Sequence, residues 1–346
     1  MASPSLTRNE PSQPQVILSG FADEAANQRT AVQQCTAFAA AGLQYLSIRF
    51  VDVGHGIKNA MQLSPSEQRA LQTLLEEYGL KVSSLGSPLG KVKLYDLDDG
   101  TNNRFEPFDR YLSETVARAC ELACQLETKL VRGFSFYPPR GESPAPHLEP
   151  AADRLRAIVE RCAADGLTYG LEVEANLVGR TGRTCAKLAE LVDHPALVTI
   201  FDGGNLISQG LTTEQVWNEY LAMRPSLGWL HIKDFRYPAG ATPGGHVDEA
   251  ALKHFVPVEE GDSGHAAIFA DLSMVLPEIA QRMRKRGVPG VFCDLEPHLK
   301  GGGQFGGFSG PDGFGVALRS LCRMLDRAGI AYHLRDFNDI LAARGF

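Results

Sequence analysis

Four short stretches of the 346-residue chain end in clusters of acids, amides and histidines. Leu171-Glu172-Val173-Glu174-Ala175-Asn176 carries two carboxylates and an amide, and Ile200-Phe201-Asp202-Gly203-Gly204-Asn205 carries one of each. Leu230-His231-Ile232-Lys233-Asp234 adds an imidazole, an ammonium and a carboxylate, while Asp294-Leu295-Glu296-Pro297-His298 adds two carboxylates and an imidazole. Carboxylates aimed at one point repel one another, so such a group needs a cation or must take up protons. Three carboxylates and one imidazole, one group from each stretch, make a mixed oxygen and nitrogen set. Its oxygens suit Mn2+ or Mg2+, and its imidazole also admits Zn2+ or Co2+. The expected cofactor is one divalent ion, Mn2+ first among these.

Each cluster closes an apolar run, and eight such runs alternate with helical patterns. The runs are Val16–Ser19, Tyr45–Phe50, Lys81–Leu85, Lys129–Phe134, Tyr169–Val173, Val198–Phe201, Trp229–Ile232 and Val291–Leu295. Helices are predicted over Asn27–Ala41, Pro65–Tyr78, Phe108–Leu126, Ala151–Ala164, Thr184–Val192, Thr213–Ala222, Leu272–Arg284 and Gly313–Ala328. Ser64 before Pro65, with Glu67 placed for a capping box, and Thr212 before Thr213 mark helix starts. Gly42, Gly79, Gly166, Gly287 and Gly329 mark helix ends.

Eight βα units in one chain predict a single α/β domain, a (β/α)8 barrel over residues 16–346, behind a disordered tail over residues 1–15. Two long loops, Gly86–Glu106 after strand three and Arg236–Phe269 after strand seven, are expected to be functional. The stretch Tyr332–Phe346 reads as an added strand or helix. No Gly-x-Gly-x-x-Gly follows the first strand, which argues against a dinucleotide fold. In a barrel the late strand ends converge on one face. Period two then puts Glu172, Glu174 and Asn176 on one face of their strand, and His231 with Lys233 on another.

Composition narrows the function. Hydrophobic residues are 44%, charged residues 22%, and the formal net charge is -7. That balance excludes a protein tracking a phosphate backbone; the basic run Arg282–Arg286 reads as a solvated helix end. Seven cysteines without a CxxC pair point away from a disulfide framework and toward a cytoplasmic setting. No apolar run is long enough to span a membrane.

The motifs resemble the xylose isomerase-like barrels, the sugar phosphate isomerase/epimerase superfamily, over nearly all of residues 16–330. The resemblance rests on Ser19-Gly20-Phe21-Ala22-Asp23-Glu24, Gly86-Ser87-Pro88-Leu89-Gly90-Lys91, Phe201-Asp202-Gly203-Gly204-Asn205, Leu230-His231-Ile232-Lys233-Asp234 and Leu295-Glu296-Pro297-His298-Leu299. It implies a TIM barrel, a metal held by Glu172, Asp202, His231 and Glu296, and a keto-sugar or cyclic polyol ketone as substrate. A homo-oligomer is compatible with the class.

Within that resemblance, Glu172 and Glu296 are the expected acid and base across an enediolate, and Lys233 its stabiliser. Arg49, Lys91, Arg132, Glu174, Asn205 and His298 are the expected substrate contacts. Keto-sugar epimerases of the family carry a His three residues after the metal aspartate, where this chain has Asn205. An amide binds a hydroxyl but relays no proton. A lyase or dehydratase on the same site, by β-elimination from a 3-keto-glycoside or dehydration of a keto-inositol, is therefore the alternative. The apurinic endonuclease branch, with three zinc ions and more histidines, and a non-catalytic sugar-binding barrel fit less well. His246, His254 and His265 lie in the long loop. Gly301–Gly310 reads as a lid or a phosphate cradle, although it lacks the P-loop ending.

Overall fold

The structure is a computed structural model that describes residues 13–240, 246–248, 252–301, 307–343 and 345. Eight strands build one parallel sheet: β1 (Ile17–Gly20), β2 (Tyr45–Ile48), β3 (Lys81–Leu89), β4 (Leu130–Gly133), β5 (Thr168–Glu172), β6 (Leu197–Asp202), β7 (Leu227–Ile232) and β8 (Phe292–Leu295). Neighbours follow chain order from β2 to β8, and β8 pairs with β1. β1 and β2 meet through a single bridge, Phe21 to Ser47, which nearly closes the barrel.

The helices between strands are α1 (Ala31–Ala40), α2 (Pro65–Glu77), α3 (Ala117–Gln125), α4 (Leu148–Ala164), α5 (Gly182–Val192), α6 (Thr213–Met223), α7 (His265–Arg284) and α8 (Gly310–Ala328). Their starts carry the expected chemistry. Ser64 and Glu67 form a reciprocal capping box on α2, and Thr212 does so with Gln215 on α6. Gly42 and Gly329 end α1 and α8 at φ 73° and 67°, a region that costs any other residue strain.

Several boundaries differ from those predicted. α1 begins at Ala31, because Thr30 caps it by accepting from Gln33 N. α7 begins at His265, two turns before Leu272, because Gly264 turns the chain at φ 77° and the His265 side chain is pinned below it. β3 runs on through Gly86 to Leu89, which still pairs with Gly133. The loop after β3 is shorter than expected for that reason. The chain end resolves as a helix, Phe337–Ala343. Of the predicted tail, residues 1–12 lie outside the described residues, whereas Pro14 O accepts Ala331 N at 3 Å or less (2.8 Å) and Gln15 bridges to Ala331. The basic run is partly structural: Arg282 and Arg286 donate to Leu227 O and Pro195 O.

Inside the barrel the floor is Trp229, fully buried, whose ring covers Gly170. Above it sits a polar layer in which Ser19 Oγ donates to Ser83 Oγ and Ser83 Oγ to Asp294. Apolar side chains outside the strands pack against the helices, as a barrel requires. All seven cysteines are free. Among the described residues no helix is long and apolar enough to cross a membrane.

Candidate metal centre and active site

The chemistry collects where β5 to β8 end. Glu172 is the last residue of β5 and Asp202 the last of β6. Asp202 also caps the five-residue helical turn Gly203–Ile207, its Oδ1 accepting Asn205 N at 2.9 Å, which leaves Oδ2 for the barrel axis. His231 lies in β7, and Glu296 follows β8 with its N–H donated to Ile232 O. One donor atom from each of the four lies within 4.8 Å of all the others, and all four residues are buried.

Within this cluster His231 Nδ1 stands 3.0 Å from Glu172 Oε1 and 3.8 Å from Glu296 Oε2. Lys233 Nζ stands 3.1 Å from Asp202 Oδ2 and 3.1 Å from Glu296 Oε2. Apart from these ion-pair contacts, both His231 ring nitrogens and Asp202 Oδ2 lack a hydrogen-bond partner among the described residues. Buried polar atoms are rarely left in that state, and together they define a position suited to a cation.

The charges agree. Burial pushes the Glu172 carboxyl up, but His231 and Arg132 outweigh it and pull it down to about 2. Glu296 is held well below the carboxylate range, since Lys233 and Arg49 outweigh its burial. Asp202 moves the other way, raised by burial and by the charges of Glu172 and Glu296 against the pull of Lys233. Three carboxylates thus share the site with the Lys233, Arg49 and Arg132 cations. A divalent ion fits the donor set of three carboxylates and one imidazole.

The expected substrate contacts surround a small cavity above the cluster. Arg49, Lys91, Arg132, Glu174, Asn205 and His298 all line it, as do Lys233 and Glu296. Glu172, Asp202 and His231 lie beneath its floor. Arg49 bridges Glu296 Oε1 at 2.5 Å and Asp23 Oδ2 at 3.2 Å. Arg132 lies 3.4 Å from Glu172 Oε2, and Lys91 pairs with Glu174 at 2.9 Å. Asn205 Nδ2 is 3.2 Å from Glu172 Oε1 and donates also to Val173 O. β5 ends at Glu172; beyond it Glu174 lines the cavity, and Asn176 is turned aside. Asn176 takes φ 65° and grips the backbone of Val247 through both ends of its amide.

Of the loop histidines, His246 and His254 are exposed, and His265 is a buried first residue of α7. None of the three lines the cavity. In the predicted glycine-rich loop, residues 302–306 lie outside the described residues; Lys300 and Gly301 pair with Phe308 on either side. Larger hollows of about 340 Å³ at the N-terminal strand ends and about 650 Å³ between α1 and α8 hold no histidine.

Three participants escaped the sequence reading. Phe21 stands edge-on to His231 with centroids 5.1 Å apart and under the guanidinium groups of Arg49 and Arg132 at 4.4 and 4.9 Å. Asp23 and Glu24, on the turn after β1, hold Arg49 and His298. The motif Ser19–Glu24 contained all three, but their partners lie far away in sequence.

The fold and site together define an α/β barrel with a carboxylate–imidazole centre at the C-terminal ends of its strands. The chain belongs to the xylose isomerase-like TIM barrel family, whose model matches residues 35–323. No curated protein sequence matches it. Solved structures share the fold at low identity. IolI protein with a bound zinc atom is 13% identical with TM-score 0.62, covering 90% of this chain and 99% of that one. D-allulose 3-epimerase from Methylomonas sp. is 16% identical with TM-score 0.55, covering 90% and 99%. The probable 3-DHS dehydratase AsbF from Bacillus anthracis is 18% identical with TM-score 0.53, covering 89% and 98%.

Proposed function

We propose that the protein is a divalent-metal-dependent isomerase or epimerase of a keto-sugar or related polyol ketone, working through an enediolate. The observation that carries this reading is the convergence of Glu172, Asp202, His231 and Glu296 within 4.8 Å, with the His231 ring nitrogens and Asp202 Oδ2 left without a hydrogen-bond partner among the described residues. A divalent ion held by these four, Mn2+ foremost, would supply Lewis acidity toward a substrate carbonyl. The chain's own groups do the rest. Glu172 and Glu296 are the acid and base on opposite faces of the enediolate: the ionised one takes the proton from the C–H beside the carbonyl. Delivery of a proton, taken up from solvent, by the other to the opposite face of the same carbon yields the epimer; return by the first to the neighbouring carbon yields the isomer. Lys233 stabilises enediolate charge. Arg49, Arg132, Lys91, Glu174, Asn205 and His298 orient the hydroxyls. The names of the similar structures, an epimerase and a zinc-containing IolI, support this reading.

A lyase or dehydratase is the second reading. Asn205 favours it, because an amide at the position where keto-sugar epimerases carry a His relays no proton. In that case the same C–H proton leaves, and a β-hydroxyl departs with a proton from an acid of the site.

The test joins metal content to product mass. Wild type, beside an Asp202→Ala/Glu296→Ala variant, is assayed for bound divalent ion and then incubated with keto-sugars in D2O. An epimerase or isomerase returns a product of the same formula bearing solvent deuterium on carbon; a dehydratase product lacks the elements of water. Wild type that binds no ion after reloading and exchanges no carbon-bound hydrogen would sink both readings.

A further inference from the structure

The motif His231-Ile232-Lys233-Asp234 sends His231 and Lys233 inward and turns Asp234 away from the cavity. Asp234 is buried and accepts four hydrogen bonds. Its Oδ1 accepts from Phe235 N at 2.8 Å, Ser263 N at 3.1 Å and Ser263 Oγ at 2.6 Å. Its Oδ2 accepts from His265 Nδ1 at 2.8 Å. Ser263 and His265 are themselves 0% and 2% exposed. This is no nucleophile triad, because Ser263 Oγ donates to the carboxylate and not to the imidazole.

The knot lies against the turn that carries Asp202. A Cβ on Gly203 would come within 2.9 Å of Ser263 Cβ and 3.0 Å of His265 Cε1. A Cβ on Gly204 would come within 2.7 Å of Lys233 Cγ, and one on Gly261 within 2.1 Å of Asp234 Cγ. Real Cβ contacts do not reach such distances, so these glycines record close packing of three pieces. One glycine after Asp202 touches the knot, and the next touches the stem of Lys233. The Asp202 carboxylate, the Asn205 amide and the Lys233 ammonium therefore share one support.

We infer that Asp234, Ser263 and His265 are positioning residues, a buried hydrogen-bonded knot that holds the Asp202–Asn205 turn and Lys233 in register. The inference rests on the roles proposed above for Asp202 and Lys233. None of the three residues touches substrate. Supports of this kind around metal ligands are worth about 10- to 100-fold in affinity or activity.

The test uses the full chain with His265→Leu, which removes the donor, and His265→Asn, whose amide N–H stands near the place of Nδ1. Three readouts are compared with wild type: amide hydrogen exchange of peptides covering 201–209 and 231–236, Mn2+ affinity by calorimetry, and kcat against KM on any substrate that wild type turns over. In His265→Leu, exchange in those two peptides rises about tenfold while β3 and β4 stay unchanged. Mn2+ affinity and kcat each fall about 10- to 100-fold with KM nearly constant, and His265→Asn restores all of them. Unchanged exchange in 201–209, or a rise shared equally by β3 and β4, would overturn the knot as a positioning device. Wild type without Mn2+ binding or turnover defeats the metal reading instead, and the exchange data still decide the knot.

Discussion

Glu24 closes onto His298 across 274 residues of sequence: its Oε2 accepts the His298 N–H at 2.9 Å and its Oε1 meets His298 Nδ1 in a short contact. Ser309 Oγ donates to the same carboxylate at 2.8 Å, so one side chain ties the turn after β1 to both ends of the loop before α8. Burial pushes the Glu24 carboxyl up, but the charge of His298 outweighs it and holds the group below the usual range. The pairing also offsets the cost of His298 at φ 51°, a region unfavourable for a residue with a Cβ.

Removing Glu24 leaves His298 and Arg49 buried with a lost partner. Breaking a buried pair in this way costs about 3–5 kcal/mol. Glu24→Ala is expected to lower the unfolding free energy in urea by that amount, and Glu24→Gln by less, since an amide keeps an acceptor for the backbone. Equal stability of Glu24→Ala and wild type would show that the pair contributes nothing net.

Glu172→Gln and Glu296→Gln keep shape and remove the proton acceptor. Each is expected to lower turnover by about 10²- to 10⁴-fold, the usual worth of a general base. Glu174→Gln, paired with Lys91 at the cavity edge, is expected to lose less than either. Steady-state kinetics on the three variants decide the assignment. Full turnover in Glu172→Gln or Glu296→Gln would remove that residue from the proton transfer.

The barrel was legible because the strands are apolar runs, several of them closed by polar residues, and because α1, α2, α5 and α6 carry side-chain caps. The convergence of Glu172, Asp202, His231 and Glu296 was legible for the same reason, all four being local to strand ends that the topology brings together. Glu24 and Asp23 were not, since their partners come from the other end of the chain and a turn after β1 carries no periodic signal. His265 was misread as a loop histidine because the polar stretch Asp262-Ser263-Gly264 hides a helix start that only its bond to Asp234 fixes. Arg49 and Arg132 were expected to meet substrate. The structure adds that both already face carboxylates.

Glu67 sets a test on the acid side. Hydrogen bonds from Lys58 and from the Ser64 backbone pull its carboxyl down from 4.5 to about 2. A depressed carboxylate binds fewer protons folded than unfolded, so its contribution is complete above the unfolded value and fades as pH falls through the folded one. Wild type should therefore exceed Glu67→Gln in stability at pH 6, with the gap closing between pH 4.5 and pH 2. Thermal melts of both proteins across that range measure it. A gap that stays constant to pH 2 would mean the carboxylate charge is not the source.

The floor of the barrel gives the sharpest steric test. A Cβ on Gly170 would stand 2.0 Å from Trp229 Cη2 and within 2.7 Å of two more ring atoms. The indole is fully buried, so it has no solvent to move into. Relief must come from the strands: either β5 shifts outward, or the ring tilts upward into the polar layer of Ser83 and Asp294. Overpacking a dense core costs about 1–3 kcal/mol. Glu172 lies two residues further along β5, so a shift of that strand would also displace a carboxylate of the candidate centre. Gly170→Ala is therefore expected to lower both stability and the affinity of the proposed centre for a divalent ion, whereas Gly170→Ala/Trp229→Phe, which shrinks the ring, should recover part of each. Calorimetry and urea melts on the two variants read the coupling. An alanine variant that loses stability but keeps the wild-type affinity for a divalent ion would show that the ring tilts and the strand stays in place.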